Sequence, residues 1–158
     1  MSEVGDAIQA KCLAFGDRVI KLNDYLLEQA SQKYDVKRKK EEVKGGSKQH
    51  LTSNFLPLTS RVPIHLQAVA VLCNQLLRSG TSIGANNAEA CNAISKADFK
   101  SKSFIALKEA RESLYWIDLL HRNNYLDDKQ YTSIHNDCEE LVKVLIHRCK
   151  KINEDSDE

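Results

Sequence analysis

Two glycines, Gly80 and Gly84, fall in the middle of a stretch that otherwise reads as one long helix. Each glycine costs a helix interior about 1 kcal/mol relative to alanine. A helix tolerates that where another backbone must come close. Four residues apart, the two glycines share one helix face, and Ala88 extends the strip. Between Val62 and Ile94 the only charged residues are Arg78 and Glu89. A helix with one face in water carries charge on that face. This one is therefore expected to be covered on more than one side, by helices of its own chain and by a second subunit.

The other apolar residues form three more helical stripes. Ile8, Cys12, Phe15, Val19, Leu22 and Leu26 predict a first helix from about Val4 to Tyr34. The glycine-bearing helix is expected from about Pro63 to Ile94, with Pro63 in its first turn. Ser95, with Asp98 three residues on, reads as the cap of a third helix reaching about Arg122. Its core stripe runs from Phe99 through Ser103, Ala106, Ala110 and Ile117 to Leu120. A turn over Asn123–Leu126 leads to Asp127 and Asp128, whose negative charge suits the start of a fourth helix. That helix is expected to bury Ile134, Cys138, Leu141, Leu145 and Cys149.

Short links between the last three helices make them antiparallel neighbours. The fold class is thus all-α: a single domain over residues 1–158, an antiparallel up-down-up-down four-helix bundle. Two segments stand apart. Residues 35–61 read as an inserted basic flexible loop, whose start can continue the first helix for a turn or two, with six basic and two acidic residues between Lys37 and Lys48 and a Gly45-Gly46-Ser47 break. Phe55, Leu56 and Leu58 are candidates to pin its far end to the bundle. Residues 153–158 read as an acidic disordered tail.

Composition argues against several functions. With 23 basic and 22 acidic residues, bulk charge favours neither nucleic acid nor a membrane. Five cysteines, none in a C-x-x-C pair and all near apolar stripes, indicate reduced thiols and a cytoplasmic protein. The start does not read as a signal peptide, and the longest apolar run falls short of a membrane span. No phosphate loop, zinc pattern, nucleophile signature or Glu-x-x-His motif occurs. No catalytic residue, metal ligand or cofactor is therefore assigned, and the chain is expected not to be an enzyme.

One polar constellation remains. Arg78 lies as far before the reversal at Ser95 as Glu112 lies after it, and Glu109 is one turn nearer. Arg78 is expected to pair with Glu112 or Glu109 across the two helices. Such a pair mainly fixes register or subunit pairing. Ser79, Gly80, Thr81, Ser82, Gly84, Asn86 and Glu89 complete the packing motif on one helix, and Trp116 completes it on the other.

These residues also carry a resemblance. Gln75-Leu-Leu-Arg-Ser-Gly-Thr-Ser-Ile-Gly-Ala-Asn86, then Glu89-Ala90, Ala97-Asp98-Phe99, Ile105 to Ser113 and Tyr115-Trp116 stand in order along the chain. Together they resemble the signature of a small bacterial four-helix-bundle family whose founding members are encoded in intervening sequences of 23S ribosomal RNA genes. The likeness covers most of the chain except about residues 31–61, where family members usually have a shorter link. It implies an antiparallel four-helix bundle assembling as a ring-like homopentamer. A related branch, accessory proteins of diversity-generating retroelements, partners a reverse transcriptase and its RNA.

The implied partners are thus further copies of the chain, and RNA or a nucleoprotein such as a reverse transcriptase. In an RNA-associated adaptor, Lys37, Arg38, Lys39, Lys40, Lys44 and Lys48 would contact phosphate, with Lys100, Lys108 and Arg111 on the third helix. The alternative is a protein-binding scaffold without nucleic-acid affinity. The acidic tail and near-neutral total favour that alternative, since the retroelement proteins are basic.

Overall fold

The computed structural model describes residues 3–44 and 64–154. They form four helices: α1 (Glu3–Lys44), α2 (Ile64–Cys91), α3 (Lys96–Arg122) and α4 (Asp128–Glu154). No strand occurs among the described residues. Each helix packs on two others: α2 lies between α1 and α3, and α4 closes the square, while the diagonal backbones stay apart and α2 and α4 meet through Asn87 and Arg148.

Side-chain levels fix the directions. Gly80 of α2 faces Phe15 and Val19 of α1, whereas Gly84, one turn on, faces Gln9 and Cys12. The partner number falls as α2 advances, so α1 and α2 are antiparallel. Arg18 meets Ser133 and Asp137, and Lys11 meets Glu140, so α1 and α4 are antiparallel too. The four apolar stripes meet in one core, where Val19, Ile83, Ile117 and Leu145 are fully buried.

The two glycines face α1, but not equally. A β-carbon on Gly80 would lie 3.1 and 3.3 Å from the two methyl carbons of Val19. On Gly84 the nearest atom would be Cys12 Cβ at 3.4 Å, an ordinary contact. The close approach therefore belongs to Gly80, and the crowding group is a buried side chain.

The helix ends follow local chemistry. Ser95 is extended and its hydroxyl accepts from the Asp98 amide at 3.1 Å, while Asp98 accepts from the Ile94 amide at 3.2 Å. The extended cap requires the chain to leave α2 early. That helix stops at Cys91, short of the expected Ile94, and Asn92 turns its side chain onto the Ala88 carbonyl. At the end of α3, Asn124 has a φ of 58°. The Tyr125 amide then reaches back to the Leu120 carbonyl and the Asn124 amide to that of His121, closing the helix in a Schellman turn. Asp127 and Gln130 cap α4 reciprocally, each side chain accepting from the other's amide.

One boundary differs substantially from the sequence reading. Helix α1 does not end near Tyr34 but continues to Lys44. Residues 35–44 contain no glycine or proline and are rich in Lys, Arg and Glu, all good helix formers. Lys37 with Glu41 and Arg38 with Glu42 are opposite charges four apart, a spacing that supports a helix. Lys37, Arg38, Lys39, Lys40 and Lys44 thus stand on a helix rather than in a loop. Among the α1 side chains described, the last buried one is Ala30, and Val36 is exposed. Lys48, the rest of 45–61, Pro63 and residues 155–158 of the tail lie outside the described residues.

Candidate interaction surface of α2 and α3

Helix α3 turns a seam of small side chains inward: Ser103, Ala106, Ala110 and Ser113 are all fully buried. Small residues let α2 come close, and a buried hydroxyl then needs a partner. Ser113 Oγ lies 2.9 Å from Ser79 Oγ and 2.9 Å from the Glu109 carbonyl. Ser79 can donate to Ser113 while Ser113 donates to that carbonyl. Ser79 thus marks the α2–α3 contact level.

One residue from each serine, the same level carries charge. Arg78 Nη2 pairs with Glu112 Oε1, as the sequence positions suggested. Trp116 Nε1 donates to the same carboxylate oxygen at 3.1 Å, and Arg78 Nε donates to Gln75 at 3.3 Å. Glu109 Oε2 lies 3.8 Å from Arg78 Nη1. That is close enough for attraction but too long for a hydrogen bond. This oxygen is buried and has no donor among the described residues. Arg78 itself is half exposed, whereas Glu109 and Glu112 are largely covered. By helical spacing Val71 shares the Arg78 face and Ile105 the Glu112 face. Both are exposed, at 58% and 36%. One exposed apolar residue thus flanks the cluster two turns away at each end.

The other motif residues act within their own helix or elsewhere. Thr81 bonds back to the Leu77 carbonyl at 2.7 Å, and Asn86 to Ser82 at 2.9 Å. Ser82 contributes that carbonyl. Glu89 pairs with Lys102 rather than joining Arg78.

A second surface runs along the outer side of α3. Lys100, Phe104, Lys108, Arg111 and Tyr115 recur at steps of four, four, three and four, so they form one stripe. Lys108 and Arg111 are exposed and Lys100 is half-buried. Phe104 is 38% and Tyr115 56% exposed. None of the three cations has a carboxylate within ion-pair reach among the described residues. Tyr115 and Trp116 meet edge to face at 4.9 Å, with Trp116 turned inward to Glu112 and Tyr115 outward. The sequence named the cations here and offered Tyr115-Trp116 as a base-stacking pair, read sooner as core or interface beside Ile105 and Leu119, but it passed over Phe104 and the interleaving. The signal was the four-and-three spacing, hidden because Phe104 and Tyr115 each neighbour apolar residues.

The sequence also passed over Asn87. It is fully buried, donates to Gln9 Oε1, and accepts from Arg148 Nη1 at 2.6 Å. Its distance of four from Ile83 and three from Ala90 places it on the core face.

At the α3–α4 turn, His121 stacks on Tyr131 at 4.1 Å and meets Asp128 at 2.8 Å, while Tyr131 donates to Asp118 at 3.0 Å. No group of three His, Cys, Asp or Glu residues among those described is arranged to hold a metal. Burial pushes the Cys138 thiol up to about 12, and Cys12 and Cys73 up to about 11. Thiols held protonated in this way are poor nucleophiles and ligands. Among the described residues no helix is long and apolar enough to cross a membrane.

This arrangement can be set beside known proteins. The profile described as 23S rRNA-intervening sequence protein matches residues 47–147, which take in α2, α3 and most of α4. The chain belongs to the 23S rRNA-intervening sequence protein family. A crystal structure from Bacteroides thetaiotaomicron, of a protein of unknown function from the S23 ribosomal protein family, is 35% identical. The likeness covers 93% of this chain and 98% of that one, with a TM-score of 0.67. None of the curated proteins matches. The 23S rRNA-intervening sequence protein family match spans the Gln75–Asn86 stretch, and neither the family description nor that structure's names an enzyme.

Proposed function

We propose that the chain is a non-enzymatic, homo-oligomeric adaptor that binds single-stranded RNA along the outer stripe of α3. The observation that carries this reading is the alternation of cations with exposed aromatics at Lys100, Phe104, Lys108, Arg111 and Tyr115. Unpaired lysines and arginine track phosphates, and aromatic rings accept unstacked bases of any sequence. The basic end of α1, from Lys37 to Lys44, and Lys48 beyond it add further phosphate contacts.

Self-assembly rests on two different apolar surfaces. One is the pair Val71 and Ile105 that flanks the Arg78–Glu112 cluster. The other is the outer strip of α1, where Leu13 and Ile20, seven residues apart, are 61% and 44% exposed. Two unlike patches that fit each other make a heterologous contact, and repetition closes a ring when the rotation allows. Five copies is the number that the family resemblance implies. The same exposed apolar residues support the second reading, a protein-binding scaffold without nucleic-acid affinity.

Replacing the aromatics separates the two. Phe104→Ala with Tyr115→Ala lowers affinity for a single-stranded RNA roughly tenfold or more, with the salt dependence unchanged. RNA affinity that ignores both changes leaves the scaffold reading standing.

A further inference from the structure

At the end of the bundle away from the α3–α4 turn, a cavity of 690 Å³ opens between the start of α1, the α2–α3 link and the last turns of α4. Its size lies in the range of small-ligand sites. Ile8, Ala90, Phe99 and Val144 supply apolar walls. Lys96, Arg148 and Lys151 supply positive charge, and no carboxylate lines it among the described residues.

Arg148 is the informative group. It is partly buried, and its guanidinium carbon stands 5.8 Å from the centre of the Phe99 ring. It has no carboxylate within ion-pair reach among the described residues. Its hydrogen-bond partner is the neutral, fully buried Asn87, which Gln9 holds from the other side. The charge is thus oriented by three helices, and no carboxylate among the described residues compensates it. Removing a cation from water without a counter-charge is unfavourable. A protein that only needed to close this end could place an aliphatic residue there.

We infer that this cavity is a binding site for a small amphipathic anion, a carboxylate with an unbranched apolar tail. The carboxylate would meet Arg148, with Lys96 and Lys151 at the rim, and the tail would lie among Ile8, Phe99 and Val144. The site is separate from the α3 stripe and does not depend on RNA binding.

Decanoate, below its micelle concentration, is a suitable probe in calorimetric titration of the full chain. The expected result is saturable binding of one equivalent per chain. Decyltrimethylammonium at the same concentrations should show none. Arg148→Gln should weaken decanoate roughly tenfold or more. Asn87→Asp keeps the arginine but supplies an internal counter-charge, and should weaken decanoate similarly. Circular dichroism establishes that each variant is folded, and either folded variant suffices for the comparison. No saturable binding to the wild type overturns the assignment. So does equal binding of the cationic probe, or decanoate affinity unchanged in a folded variant.

Discussion

Arg78 of α2 and Glu112 of α3 join across the helix interface, and the same carboxylate oxygen accepts the Trp116 indole. The pair sits directly outside the buried Ser79–Ser113 contact, so polar groups define the register of α2 on α3 at two depths. Register is the property such a pair governs best, because a half-exposed arginine contributes little net stability.

Reversing Arg78 tests this. Arg78→Glu sets a third carboxylate beside Glu109 and Glu112, and stability should fall by about 1–2 kcal/mol. Adding Glu112→Arg should recover part of that decrease. A urea-unfolding double-mutant cycle checks it, with an expected coupling of about 0.5–1 kcal/mol. Strictly additive effects would contradict the pairing.

The two glycines should respond oppositely to alanine. At Gly80 the new methyl would press on Val19, which is fully buried and β-branched and so cannot turn aside. Crowding of about 1–3 kcal/mol then outweighs the helix-propensity gain of about 1 kcal/mol. At Gly84 the contact is ordinary, so Gly84→Ala should be neutral or stabilising by up to about 1 kcal/mol. Thermal melts of the two variants decide this, and a tolerated Gly80→Ala would be inconsistent with the packing described.

That asymmetry marks what the sequence could tell. Period-three-and-four stripes located all four helices, because burial in a bundle leaves a periodic trace. The equal distance of Arg78 and Glu112 from Ser95 located their pairing, because an antiparallel hairpin has fixed geometry. Spacing placed both glycines on one face but carried no information on which would meet Val19. The extension of α1 to Lys44 was legible only as a turn or two beyond Tyr34, since residues 35–44 carry no apolar stripe and only propensity could signal it. Asn87 was missed because a polar residue on a core face looks like an interruption until Gln9 and Arg148 are seen around it.

Alkaline pH should weaken the fold. Burial raises the Cys12 and Cys73 thiols to about 11 and Cys138 to about 12, against 9.0 when unfolded. Above 9.0 the unfolded chain loses these protons first, so proton loss favours unfolding. Their contribution is fully present below pH 9.0 and declines as pH rises through about 11 and 12. The urea midpoint should therefore drop between about pH 8.5 and 10.5, and Cys138→Ala should flatten the slope. A Cys138→Ala slope identical to that of the wild type would exclude this thiol as a source.

RNA binding as a function of salt bears most directly on the proposed role. The purified protein should bind a single-stranded RNA with affinity that falls linearly on a log–log plot against salt. Changing Lys100, Lys108 and Arg111 together to glutamine should reduce that slope by about 2, at roughly 0.7 for each phosphate no longer neutralised. No binding at low salt, or a slope and affinity that the triple substitution leaves unchanged, would contradict the assignment of RNA binding to α3.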